Sequence, residues 1–126
     1  MTRILIAEDD HAVVHMLELT FATEGFETEA VRDGQAALDR IEQGDPVDVV
    51  ILDIMMPEVD GYTVLEALQD DEAWSDTKVV IATALKTDED VWKGWSSGAD
   101  YYLPKPFDLD HLREVVNRLI AGAPVT

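Results

Sequence analysis

Apolar residues recur along this chain in short continuous runs and, between the runs, at helical spacing. Arg3 to Ala7 is a brief apolar run that stops at Glu8-Asp9-Asp10. Val14, Leu17 and Phe21 then repeat at the spacing of one helix face, and Gly25 closes that helix. Glu27 to Val31 alternates polar and apolar, the pattern of a half-exposed edge strand. Asp33 caps a helix carrying Ala37, Leu38 and Ile41, which stops at Gly44. Val47 and Val49 to Leu52 read as a strand buried on both faces. Asp53 follows directly, then Pro57, which a continuous helix does not tolerate, and Asp60-Gly61, a turn and helix cap. The helix beginning near Asp60 turns Val64, Leu65 and Leu68 inward.

Lys78 to Ala82 is a further strand, ending in Thr83-Ala84, and a weaker helix runs from about Asp88 to Ser97 before Gly98. Gly94 falls inside that helix at a cost of about 1 kcal/mol relative to alanine. Trp92 and Trp95 are expected to anchor it as core or semi-exposed packing, and an exposed Trp92 would instead mark a partner-binding patch. Tyr101 to Leu103 is a short strand that ends in Pro104-Lys105-Pro106-Phe107. Asp108 caps a last helix bearing Leu109, Leu112, Val116 and Leu119, with Arg113 and Arg118 suited to its negative end.

Five strands therefore alternate with five helices, and each crossover is long enough for a right-handed βαβ unit. The fold class is α/β, with a five-stranded parallel sheet and helices on both faces. The polar alternation of the second strand places it at an edge, and strand order 2-1-3-4-5 puts the most apolar strands inside. Residues 1–121 form one domain, and 122–126 are a C-terminal tail or the start of a linker.

Composition narrows the chemistry. A chain of 126 residues with 47% hydrophobic content supports one core. It has no cysteine, which excludes disulfides, thiolate metal sites and thiol nucleophiles. Neither a membrane-spanning run nor a signal peptide is present, so the expectation is a soluble, cytoplasmic domain. Twenty-seven acidic residues against nine basic ones give a net charge of −18, which argues against direct binding to nucleic acid or anionic membrane. The charge reads equally as solubility, as the acidic surface of a salt-loving host, or as carboxylates gathered around a cation.

Position separates these readings. In order 2-1-3-4-5 the winding reverses between strands 1 and 3, which opens a crevice at their carboxyl ends. Glu8 and Asp9 end strand 1 and Asp53 ends strand 3. Carboxylates meeting there repel one another unless a cation is present, and hard oxygen ligands in a hydrated site suit Mg2+, with Mn2+ as its substitute. Thr83 adds a hydroxyl from strand 4, and Lys105 adds an ammonium from strand 5. This set suits phosphoryl transfer to oxygen, a reaction run mostly by positioning and electrostatics.

Five motifs carry a family resemblance, in order and at strand ends: Ile-Leu-Ile-Ala-Glu-Asp-Asp from Ile4, Asp-Ile-Met-Met-Pro-Glu-Val-Asp-Gly from Asp53, Ala-Thr-Ala around Thr83, Gly-Ala-Asp from Gly98, and Lys-Pro-Phe from Lys105. From Ile4 to about Leu119 the sequence resembles the receiver domain of two-component response regulators, the family of the bacterial chemotaxis receiver. The resemblance implies a flavodoxin-like (βα)5 three-layer sandwich. It makes Asp53 the residue phosphorylated by a sensor histidine kinase or phosphotransfer protein. It assigns Glu8, Asp9, Asp53 and the backbone carbonyl of Met55 to Mg2+, Thr83 to the phosphoryl oxygen and Lys105 to the phosphate. Tyr102 matches the aromatic that swings inward together with the threonine, and Lys105-Pro106 matches a cis peptide bond. Asp10 competes with Glu8 for the outer, water-mediated ligand position, although capping of the first helix is its favoured task. Asp9 is the favoured direct ligand.

By the same resemblance the domain is no enzyme toward outside substrates and catalyses only its own phosphorylation and dephosphorylation. Its output passes through helix 4, strand 5 and helix 5 to a downstream effector, to a covalent output domain, or to a second copy in a homodimer. Met55 and Leu85 lie two residues after Asp53 and Thr83, at positions that govern attack by water in the family, and both are apolar. A long-lived phosphorylated state is expected. Two other classes compete. An aspartate-nucleophile phosphatase needs an acid where Met55 stands, and a flavodoxin-like electron carrier needs a phosphate-binding loop where the acidic Glu8-Asp9-Asp10 stands. Met55 and Met56 are expected to fill gaps beside the site, and His11, His15 and His111 receive no role.

Overall fold

The structure is a computed structural model that describes residues 1–84 and 87–125, with the backbone alone at Asp88, Gly94 and Trp95. Its strands are β1 (Arg3–Ala7), β2 (Glu27–Val31), β3 (Val49–Leu52), β4 (Lys78–Thr83) and β5 (Tyr101–Pro104). Its helices are α1 (His11–Ala22), α2 (Gly34–Glu42), α3 (Gly61–Asp70), α4 (Asp88–Ser96) and α5 (Leu109–Ala121). All pairings are parallel, in the order β2-β1-β3-β4-β5, as the crossover lengths and the edge pattern of Glu27–Val31 predict.

The inner strands are apolar from Ile4 to Ala7, Val49 to Leu52 and Val79 to Ala82 because both faces are covered there. Leu5, Ala7, Val50, Leu52, Val79, Ile81 and Tyr102 point to one side, against Ala37, Ile41, Val64, Leu65 and Leu68 of α2 and α3. Ile4, Ile6, Val49, Ile51, Val80, Ala82 and Leu103 point to the other, against α1 and α5. Successive strand residues face opposite ways, so an apolar run of four or five residues supplies two cores at once.

Helix starts follow the acidic caps read from the sequence. Asp10 accepts from the amides of Ala12 and Val13, Asp33 from Ala36, Asp60 from Thr63 and Asp108 from Asp110. Lys105-Pro106 is cis. At α5 the buried residues are Leu112, Val115 and Val116, whereas Leu109 and Leu119 are half-buried at the margin of the face. Arg113 pairs with Glu24 and Asp110 rather than with the helix end, and Arg118 pairs with Glu114 and donates to the carbonyl of Pro124.

Two expectations change. A short 3₁₀ helix at Glu72–Trp74, absent from the sequence reading, follows α3 and buries Trp74 to 2% exposure. Its indole N–H donates to the Ile41 carbonyl at 3.2 Å, and the Arg40 guanidinium lies 5.4 Å from its ring. Trp92, expected to anchor α4, is instead 73% exposed. Val91, one residue earlier, takes the inward position and packs against the α2–α3 core. The side chain of Trp95 and the whole of Leu85 lie outside the described residues.

Candidate functional site

Register brings the acidic residues to one level. Ala7 pairs with Leu52, so Glu8 and Asp53 leave adjacent strands side by side, and the Asp53 amide still donates to Ala7 O at 2.9 Å. Thr83 pairs with Pro104 at the far end of β4, and the Lys105 amide donates to Thr83 O at 2.7 Å. Neighbouring strand tips thus deliver Glu8, Asp53, Thr83 and Lys105 to one crevice, where the chain direction reverses.

Within it, one carboxylate oxygen each from Glu8, Asp9 and Asp53 lies within 4.8 Å of the others. Glu8 and Asp53 are buried, with side chains 5% and 7% exposed, whereas Asp9 is exposed. Lys105 Nζ bridges the two buried members, donating to Glu8 Oε1 and, at 3.1 Å, to Asp53 Oδ2. The other Asp53 oxygen accepts the Met55 amide at 2.9 Å, and Glu8 Oε2 accepts the Asp10 amide at 3.1 Å. Both oxygens of the Asp53 carboxylate are therefore oriented by hydrogen bonds.

Burial pushes the Glu8 carboxyl up from its ordinary value despite the Lys105 ammonium beside it, and the Asp53 charge adds to the rise. Burial pulls on the Lys105 ammonium in the opposite sense, toward deprotonation. Its hydrogen bond to Glu8 and the charge of Asp53 more than offset this and hold it above its usual value. Lys105 is accordingly a fixed positive charge. Tyr102 is buried and pushed up to about 12, chiefly by burial, so its phenol stays protonated. Thr83 is fully buried at the rim.

The donor set tests well against a hard divalent ion. Three carboxylates in reach of one another, two of them buried against a single ammonium, leave excess negative charge that oxygen-seeking Mg2+ would neutralise. Asp10 is absent from this cluster among the described residues, because its carboxylate caps α1. The carboxylate cluster thus takes in Glu8 and not Asp10. Lys105 was expected to meet a phosphate, and here it bridges Glu8 and Asp53. Met55, expected to fill a gap, is 55% exposed, while Met56 packs against the core. A side chain more than half in solvent has no cavity to fill.

The backbone around Asp53 depends on two glycines that the sequence reading left without this role. A Cβ at Gly34 would meet Val59 O at 2.0 Å, and one at Gly61 would meet Ile54 Cα at 2.5 Å. The starts of α2 and α3 thus pack directly on the segment that follows Asp53. Asp33-Gly34 and Asp60-Gly61, each a cap followed by glycine, were the available signal.

Comparison with known proteins agrees with this geometry. Residues 4–117 match the family model described as the response regulator receiver domain. The chain is 38% identical over 120 residues to the DNA-binding dual master transcriptional regulator RpaA of Synechocystis, covering 95% of this chain and 49% of that protein. The chain spans about half the length of that curated relative. Among solved structures, the receiver domain of Francisella response regulator 1452 superposes with a TM-score of 0.87 at 34% identity, covering 97% of this chain and 98% of that one. The receiver domain of the Pseudomonas aeruginosa sensor histidine kinase PA1611, whose structure has a magnesium ion coordinated in the active-site cleft, gives a TM-score of 0.85 at 25% identity, covering 95% and 98%. Because the matched span runs from β1 into α5 and takes in every residue of the crevice, the chain belongs to the family of response regulator receiver domains.

Proposed function

We propose that this domain is a phosphorylation switch in which Asp53 accepts a phosphoryl group from a phosphohistidine of a sensor histidine kinase or phosphotransfer protein. One Asp53 oxygen attacks phosphorus in line. The carboxyl O–P bond forms as the N–P bond breaks, and the imidazole leaves. Glu8, Asp9, Asp53 and the Met55 carbonyl would hold Mg2+, or Mn2+ in its place, which supplies charge neutralisation for the phosphoryl oxygens. Lys105 shifts from its carboxylate partners to the new phosphate, and the Thr83 hydroxyl donates to a phosphoryl oxygen. Tyr102 follows Thr83 inward. The convergence of three carboxylates beside Lys105 at the strand switch point is the observation that carries this reading.

Met55 offers no acid to activate water, which favours a switch over a hydrolase. The domain then catalyses only its own phosphorylation and its return. An apolar Met55 two residues after Asp53 is in keeping with a slow return. Residues 1–121 are the switch unit, and 122–126 are a tail or the start of a linker. Output passes through the α4–β5–α5 surface, where exposed Trp92 offers an aromatic contact. The partner there is a downstream effector, a covalent output domain or a second copy, with no nucleic acid contacted directly. Among the described residues no helix is long and apolar enough to cross a membrane, which fits work in the cytoplasm beside a kinase's inner domain.

Incubation with acetyl phosphate and Mg2+ should add one phosphate to the intact protein, detected by mass spectrometry. Asp53→Asn and chelation of the metal should each abolish the addition. An unmodified wild type in the presence of Mg2+ would overturn the reading.

A further inference from the structure

α4 is held differently from the other helices. Helices α1, α2, α3 and α5 each bury at least three residues in the core, whereas no α4 residue with a described side chain is fully buried. Val91 is partly buried and Trp92 stands in solvent. Among the described side chains of α4, apolar burial, which fixes the other helices, contributes little.

Two polar contacts with α3 stand in its place. Lys93 Nζ lies 4.3 Å from the centroid of the Tyr62 ring. One turn further on, Gln69 Nε2 donates at 2.6 Å to the carbonyl of Ser97, just past the end of α4. Between them runs a groove of about 310 Å3 lined by Tyr62, Leu65, Glu66, Gln69, Lys93 and Ser97. The two contacts clasp the last turn of α4 from both ends of that groove.

Tyr62 sits where it can register events at Asp53. It follows Gly61, whose amide donates to Ile54 O at 2.9 Å and whose Cα approaches the Asp53 carbonyl too closely for a side chain. Its ring also packs against the core cluster that contains Tyr102. A backbone shift after Asp53 therefore moves the face on which Lys93 rests.

We infer that Lys93 on Tyr62 and Gln69 on Ser97 form a two-point clasp that holds α4 in its resting position and limits how readily the domain enters its phosphorylated form. The inference rests on the phosphorylation switch proposed above. Ligands and modifications act by shifting populations between conformers. Loosening the resting conformer therefore raises the population already prepared for phosphoryl uptake.

The test is amide hydrogen exchange across residues 88–98 of the unmodified protein, with no phosphodonor present. From the strength of an exposed cation–π contact and of one hydrogen bond, Lys93→Met should speed exchange there by about two- to fivefold and Gln69→Ala by about two- to tenfold. The double variant should approach the product of the two, with β1 and β3 unchanged. Tyr62→Phe keeps the ring and should behave as wild type, whereas Tyr62→Leu should reproduce Lys93→Met and make that substitution silent. Unchanged exchange in both Lys93→Met and Gln69→Ala overturns the clasp. The initial rate of Asp53 phosphorylation by acetyl phosphate should rise by a similar factor. Faster exchange without a faster rate, in a wild type that does take up phosphate, overturns its part in switching. A wild type that takes up none counts against the proposed function instead, and the exchange measurement still decides whether the clasp holds α4.

Discussion

At the scale of single residues, the approach of Gly61 to Ile54 Cα and the Asp53 carbonyl is too close for any Cβ. The start of α3 and the segment after β3 therefore touch backbone to backbone, and the shape of the crevice depends on it. Gly61→Ala should destabilise the domain by about 1–3 kcal/mol, the usual cost of overpacking a well-filled site. It should also slow phosphate uptake beyond what the stability loss explains, because Asp53 moves with its loop. Urea unfolding and acetyl phosphate kinetics on the same variant check both. An alanine variant with wild-type stability and rate would refute the close approach. Gly25 has nothing near its missing side chain and is needed instead for its φ of 79°, so spacing alone does not identify why a glycine is required.

At the scale of elements, carboxylates do structural work at the end of the sheet opposite the crevice. Asp100 Oδ2 accepts the Val79 amide at 2.8 Å while the Asp100 amide donates to Val79 O, so one residue closes the start of β4 against β5. Asp48 Oδ2 does the same for the amide of Arg3 at 2.8 Å. The Gly-Ala-Asp motif thus has a mechanical explanation, with Ala99 turned into the core. Asp100→Ala leaves a partly buried N–H without its acceptor and should cost about 1–3 kcal/mol, read as a lower urea midpoint with an unchanged slope. Phosphate uptake should be preserved, since the site lies at the other end of the strands. The caps of α1, α2, α3 and α5 were legible because Asp at these positions satisfies local amides and needs no distant partner. The exposure of Trp92 was not. Helical spacing marks a face, and only the neighbouring elements decide whether that face is covered.

At the scale of the whole molecule, a net charge of −18 on 126 residues makes self-repulsion a standing cost of the folded state. The pairs Arg3–Asp45, Arg113–Glu24 and Arg118–Glu114 offset little of it, because solvent screening and the ordering of two long side chains cancel most of the attraction in a pair at the surface. Raising KCl from about 0.1 M to about 1 M shortens the screening length from roughly 10 Å to 3 Å. Relief of repulsion should outweigh weakening of the pairs and raise the melting temperature by about 4 °C, equivalent to roughly 1 kcal/mol for a domain of this size. A melting temperature that falls with salt, followed by circular dichroism, would show that the pairs dominate instead.

The sequence by itself determined the parallel sheet, its strand order and the identity of the residues at the strand tips. Two-sided apolar runs, an alternating edge strand and local acidic caps are short-range signals that survive without coordinates. Three dimensions decided the rest. That Lys105 rests between Glu8 and Asp53, that Trp74 is core while Trp92 is surface, and that α4 is held by Lys93 and Gln69 all depend on pairings between residues distant in the chain. Such pairings carry no periodicity of their own, because their partners are chosen by how finished elements pack.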